Sequence, residues 1–268
     1  MVGGDAASKK KDVVILERDG AVARVWLNRP HKRNSLTVAV LSRLEEIFDE
    51  IEGDSTLRVM ILRGREGTFC SGFDLEDLQE QFLGKNSLEI AVLGAKICER
   101  LAKMRKPTIA VLEGYVTAGG FELMLACDFA VAADTAQIGD FHIRRALIGG
   151  AGPIYRLPRR VGILRAKELM LSGKLLTGSL AADWGLINKA VPAEQLNDAV
   201  DEFASDFVDK SPLAMWVTKM TVDRSLDADT ESLMVMEHLA AGLIMQSEDA
   251  LEGVAAFLEK RKPEWKPL

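Results

Sequence analysis

The chain has 268 residues, 48% of them apolar and 28% charged, with 34 basic and 40 acidic side chains for a net charge of −6. That apolar share excludes an intrinsically disordered chain, and a chain of this length buries about three-quarters of its unfolded surface without needing a disulfide or metal staple. No long basic block occurs, so nucleic-acid binding has no footprint, and three cysteines among apolar neighbours (Cys70, Cys98, Cys127) read as buried free thiols.

Residues 1–11 are polar and lysine-bearing and lack the apolar core of a signal peptide. They read as a disordered tail, and a cytoplasmic setting follows as the default. Residues 13–16 and 22–27 are β-rich runs around Asp19-Gly20, which predicts a hairpin. Thr37 then opens a helix with Leu41, Leu44, Ile47, Phe48 and Ile51 at helical spacing, and Gly53 stops it. Residues 59–62 form a continuous apolar run, as a strand buried on both faces requires. A polar loop over 63–77 leads to a second amphipathic helix over 88–104. Pro107 ends that helix, and strands are predicted at 108–112 and 129–133. Between them Gly119-Gly120 begins a short apolar helix to Cys127. The apolar stretch 121–133 holds Glu122 and Asp128 and is too short to span a bilayer, so no membrane partner is expected.

Strand and helix in alternation predict stacked βα units with right-handed crossovers. After about residue 190 the pattern turns helical, with helices expected at 193–208, 212–226, 230–246 and 248–260. The expected organisation is an α/β core over 12–192 and a helical segment over 193–268, packed on the core or on another subunit.

Several chemistries lack their signatures. There is no GxxxxGK[ST], no strand followed by GxGxxG, no HExxH, no CxxC and no GxSxG. His31, His142 and His238 are scattered, so no metal site is expected. Gly149-Gly150-Ala151-Gly152 has the wrong spacing for a dinucleotide loop.

Two segments remain, each following a predicted buried strand: residues 68–75 (TFCSGFDL) and 114–123 (GYVTAGGFEL). Gly119-Gly120 stands at a helix N-terminus, where N–H groups are unpaired and the dipole is positive. Glu122 follows within a turn, in an apolar helix where a carboxylate is costly unless hydrogen-bonded or functional. Burial there raises its pKa. Backbone donors beside a carboxylate suit stabilisation of an enolate during proton transfer. Tight packing and a structural ion pair are the plainer readings of each segment taken singly.

At these residues the chain resembles the crotonase superfamily, the enoyl-CoA hydratase/isomerase family, from about residue 13 to 265. Asn28-Arg29-Pro30 with Asn34-Ser35-Leu36 resembles its NRP…N-[AS]-L segment, and 68–75 its F-x-[AS]-G-x-D-[LI] loop. Residues 106–123 resemble its KPxIAAVxGxxxGGGxEL signature, and 257–262 its C-terminal F-x-E-K-R segment. The resemblance implies a crotonase-like fold: an α/β spiral of stacked ββα units with a C-terminal helical trimerisation segment. It implies an acyl-CoA substrate, no cofactor besides that thioester, and a homotrimer or dimer of trimers. It places an oxyanion hole at the backbone N–H groups of Phe73 and Gly119, and a catalytic acid at Glu122. CoA contacts fall on Lys32, Ser71, Gly72 and Leu75, with Phe257 and Lys260 reaching CoA from a neighbouring subunit.

One slot departs from the family. Its hydratases carry a second glutamate in an F-G-x-P-E stretch, which here reads Ile138-Gly139-Asp140-Phe141-His142. His142 is either the replacement proton carrier or structural. Asp140 either orients it or is solvated. Arg144 and Arg145 either meet a carboxylate on the acyl group or pair with surface acids. Leu78, Phe82, Ile90 and Leu93 either line an acyl pocket or belong to the core. The implied activity is hydration of the 2,3 double bond of an enoyl-CoA. Isomerisation or thioester hydrolysis through Glu122 and His142 is the alternative within the superfamily, and a non-catalytic acyl-CoA binder the alternative outside catalysis. A retained buried acid speaks against the binder.

Overall fold

The computed structural model describes residues 13–80 and 87–268. The tail expected over 1–11 and the side chain of Phe82 lie outside the described residues. Strands β1 (Val14–Asp19) and β2 (Val22–Leu27) pair antiparallel, with Val14 opposite Leu27 and Asp19 opposite Val22. The loop residues are Gly20 and Ala21, one position beyond the Asp-Gly signal, because Gly20 supplies a φ of +56° at the first loop position. Helix α1 (Val38–Gly53) is capped by Thr37, whose hydroxyl accepts the N–H of Val40 at 3.3 Å, and it buries the predicted face from Leu41 to Ile51.

The next elements alternate. Strand β3 (Val59–Gly64) leads through the 65–74 loop to α2 (Ser87–Ala102). Strands β4 (Thr108–Leu112) and β5 (Tyr115–Thr117) precede α3 (Gly119–Ala126). Strands β6 (Phe129–Ala133) and β7 (Gln137–Gly139) precede α4 (Pro153–Ser172), then β8 (Leu176–Thr177), α5 (Gly178–Asp183) and β9 (Lys189–Val191). One sheet has the order β1-β2-β3-β4-β6-β9, parallel from β2 onward; β5, β7 and β8 form a second. Cys70 bridges Val116 on β5, so the loop after β3 joins the second layer. Each turn of the chain thus lays a long strand in one sheet and a short one in the other, then returns through a helix.

The large sheet explains its continuous apolar runs. Met60, Leu62, Ala110, Leu112, Ala130 and Ala132 face a core shared with α1, α2 and α3. Their neighbours Val59, Ile61, Ile109, Val111, Val131 and Ala133 face a second core. That alternation is the period-two signature of strands covered on both sides. The second core is closed by α6 (Leu196–Val208), which buries Leu196, Ala199, Val200 and Ala204. Phe129, Phe203 and Phe207 meet there with ring centroids 4.9 to 5.5 Å apart.

Three further helices follow: α7 (Pro212–Arg224), α8 (Thr230–Met245) and α9 (Glu248–Glu259). Lys219 on α7 reaches back to Asp128 at 2.8 Å, and Asp128 also accepts the N–H and hydroxyl of Thr108. Beyond this anchor little is covered. Helix α8 has no buried residue, and Leu239, Leu243, Phe257 and Leu258 are exposed. The unanticipated helices are α4 and α5; α4 holds Pro158 and breaks at Gly162 (φ +77°, ψ 161°). No helix among the described residues is long and apolar enough to cross a membrane.

The loop after β3 touches the start of α3. A Cβ at Gly120 would overlap the carbonyl oxygen of Cys70 and stand 2.7 Å from its Cβ. Gly120→Ala is expected to lower stability by about 2–3 kcal/mol, since the obstructing atoms include backbone that cannot rotate aside. Urea unfolding with an unchanged m-value measures it.

Candidate active site

The 65–74 loop is held by the segment before α1. Asn34 adopts a positive φ (+54°); its amide donates to the carbonyls of Thr68 (2.6 Å) and Arg65 (3.0 Å), and its oxygen accepts the N–H of Arg29 (2.8 Å). Arg29 pairs with the buried carboxylate of Asp74 at 3.0 Å, and the Ser35 hydroxyl also reaches it. Leu36 then brackets Phe73: its N–H donates to the carbonyl of Gly72 (2.8 Å) and its carbonyl accepts the N–H of Asp74 (2.9 Å). Bonds to the residues on either side turn the N–H of Phe73 itself toward the opposite edge. That N–H has no acceptor among the described residues.

The second loop offers a matching group. Gly119 is the first residue of α3, and its N–H has no acceptor among the described residues. Ala118 before it holds φ +50° and ψ −120°, a conformation that costs a non-glycine residue about 1–3 kcal/mol. Its N–H donates to the carbonyl of Asp140 at 2.9 Å, which fixes the turn. Phe73 and Ala118 line one cleft of about 510 Å³, together with Lys32, Ser71, Leu75 and His142.

Glu122 lies one turn into α3 and is 2% exposed. Its Oε1 accepts the N–H of Ala151 at 2.9 Å. Burial pushes its pKa up, against the opposing pull of His142 and of the Ala151 and Gly150 amides. His142 lies near: a Cβ on Gly149 would stand 2.8 Å from Glu122 Oε1 and 3.2 Å from His142 Cε1. Glycine at 149 is what lets the chain pass between them. Burial disfavours the charged imidazole of His142, yet the hydrogen bond to Asp140 and the charges of Glu122 and Asp140 outweigh it, and the pKa is raised.

The remaining predicted residues divide. Lys32 and Ser71 line the cleft, and Lys32 pairs with Glu76 at 2.7 Å across its mouth. Gly72 has φ +99°, and Leu75 begins a short helical turn, Leu75–Asp77, capped by Asp74. Phe257 and Lys260 are not in the cleft lining; they lie at the end of α9, exposed. Leu78 lines the cleft and also packs on the core, Leu93 packs on the core, and Ile90 is a core residue that also borders a small neighbouring pocket with Phe73 and Leu78. Arg144 and Arg145 both lie over the ring of Phe141, and Arg144 donates to the carbonyl of Gly173. Sequence reasoning missed the role of the 149–152 segment. Its glycines, placed after the His142 loop, were the available signal, but its function is to wrap backbone donors round Glu122. No cluster of three or more potential metal ligands occurs among the described residues.

Two backbone N–H groups without acceptors among the described residues and a buried acid sit on repeated ββα turns, and that fold is the crotonase fold. The enoyl-CoA hydratase/isomerase family model matches residues 17–267, and the chain belongs to that family. It is 33% identical over 255 residues to the short-chain-enoyl-CoA hydratase of Clostridium acetobutylicum, covering 94% of this chain and 96% of that protein. It is 36% identical to the bovine mitochondrial enoyl-CoA hydratase domain-containing protein 2, covering 90% of this chain and 83% of that one. The crystal structure of an enoyl-CoA hydratase from Bacillus anthracis matches with a TM-score of 0.88 at 32% identity, over 95% of this chain and 99% of that one.

A raised carboxyl pKa has a sign in stability. Below 4.5, its ordinary value, Glu122 is protonated folded or unfolded. As pH rises the unfolded chain releases the proton first, so stability falls until the folded carboxyl also ionises. Glu122→Gln lacks this loss. The variant is expected to match the wild type near pH 4 and to exceed it increasingly above pH 4.5, read by chemical denaturation across pH.

Proposed function

We propose that this chain is an enoyl-CoA hydratase, adding water across the 2,3 double bond of an enoyl-CoA. The observation that carries the reading is the pair of acceptor-free N–H groups, Phe73 and Gly119, with Glu122 one turn beyond. The thioester oxygen accepts both N–H groups, and as the enolate forms its negative charge grows where they point. Donors already oriented toward developing charge contribute about 3 kcal/mol each. Glu122 as carboxylate takes a proton from water while the water oxygen bonds to C3. The π electrons move into the enolate, and C2 then takes a proton from the imidazolium of His142. One water is consumed, and the two side chains exchange a proton to reset. Burial raises the Glu122 carboxyl and makes its carboxylate the stronger base, while the Asp140 hydrogen bond and the nearby carboxylates raise the imidazole against its burial and favour the imidazolium that donates.

The CoA moiety runs along Lys32, Ser71, Gly72 and Leu75, with the Lys32 ammonium released from Glu76 to a phosphate. Phe257 and Lys260 complete this site from a neighbouring copy in a homotrimer or dimer of trimers. The uncovered apolar side chains of α8 and α9 support that assembly. The thioester is substrate, and the steps above call on no further cofactor. We assign the protein to the cytoplasm, on the strength of its three buried free thiols.

The purified protein is expected to bleach the enoyl absorbance of crotonyl-CoA and release 3-hydroxybutyryl-CoA. Glu122→Gln is expected to lose at least about a hundredfold in kcat and to keep acyl-CoA affinity within a few-fold by calorimetry. Absence of hydrated product in the wild type, or an unchanged rate in the variant, defeats the reading. In sedimentation, Leu239→Glu is expected to shift the wild-type oligomer toward monomer.

A further inference from the structure

The slot that breaks the family pattern is built around a residue that the hydration scheme does not use. Asp140 is buried, and its Oδ1 accepts the backbone N–H of His142 at 3.2 Å and lies 3.0 Å from the ring Nδ1, within hydrogen-bond distance. Phe141 between them takes φ +66°, which curls the chain so that one carboxylate oxygen meets both groups. The side chains of His142 and Asp140 are 10% and 3% exposed, so the pair is shielded from water. The other oxygen, Oδ2, is buried with no hydrogen-bond partner among the described residues. The same residue's carbonyl receives the N–H of Ala118, next to the Gly119 donor. One aspartate therefore anchors the turn that presents Gly119 and the ring that faces Glu122.

An ionised carboxylate only accepts, so the bonded ring nitrogen carries the hydrogen. Nδ1 is thereby committed, and Nε2 is the one nitrogen left to exchange a proton. We propose that Asp140 is a positioning residue that holds His142 with Nδ1–H donated and Nε2 free toward the cleft, so that an imidazole works opposite Glu122 where the family has a second carboxyl. This deepens the hydratase reading and rests on it for the step that uses the proton. The charged groups around the ring are Asp140 on its own loop, Glu122 from α3, and Arg145 one turn on. The 149–151 segment adds backbone only. A glutamate in place of His142 would face Asp140 as a like charge, so aspartate at 140 suits histidine at 142 and not the family's acid.

Imidazole nitrogen NMR tests this on the wild type without any variant. Neutral His142 is expected to carry its proton on Nδ1; the commoner Nε2-protonated tautomer overturns the proposal. In Asp140→Asn the His142 titration is expected to move down by about one pH unit or more. The alkaline limb of the kcat profile on crotonyl-CoA should move with it, and kcat should fall at least tenfold. In a His142→Glu background the same Asp140→Asn change is expected to leave kcat unchanged or raise it. An unshifted imidazole titration, or an equal loss in both backgrounds, shows a purely structural aspartate and overturns the proposal. A wild type inert toward crotonyl-CoA defeats only the hydratase reading, and the NMR arms then still decide the role of Asp140.

Discussion

The site depends on two loops approaching so closely that glycine is required at their contact. Gly120 lies against Cys70, and Leu36 clasps the residues on either side of Phe73. These contacts leave the N–H groups of Phe73 and Gly119, at two separate strand ends, without acceptors among the described residues. Donors that belong to the main chain cannot swing away as side chains do, so their orientation is settled when the protein folds. The cost appears as local strain at Ala118 and as glycine where any Cβ would collide.

Polar chemistry is then placed inside an apolar surround. Glu122 sits in a helix whose every residue is buried, and its carboxylate is tolerated because an amide from a distant glycine-rich segment reaches it. His142 and Asp140 are brought to the same place by a different turn of the spiral. Successive layers of the spiral thus bring Phe73, Gly119 with Glu122, and His142 with Asp140 into one region. This is why residues separated by tens of positions converge without long connections.

Legibility in the sequence followed the physics of each element. The runs at 59–62, 108–112 and 129–133 were readable because strands covered on both faces must be apolar throughout. Strands β5, β7, β8 and β9 were not, because two or three residues cannot display a period. Helix α4 escaped for another reason: Pro158 and Gly162 interrupt its phase, and Ile163, Leu164 and Leu171 stay exposed. Glu122 was legible because a charge among apolar neighbours is conspicuous. Its partner Ala151 was not, because a main-chain donor leaves no mark on residue identity. Arg29 and Asn34 were visible only as a resemblance; their bonds to Asp74 and Thr68 supply the reason for those residue types.

The three cysteines carry a consequence of their own. Cys70 lies within the 65–74 loop, Cys98 within α2 and Cys127 at the end of α3, all buried and unpaired. Burial pushes the Cys70 and Cys127 thiols up to about 12 and Cys98 up as well, so at neutral pH almost no thiolate exists to be alkylated or oxidised. Labelling can then proceed only through molecules that have opened. The rate at which each thiol is modified becomes a clock for the opening of its own part of the core, and the three together chart which layers loosen first.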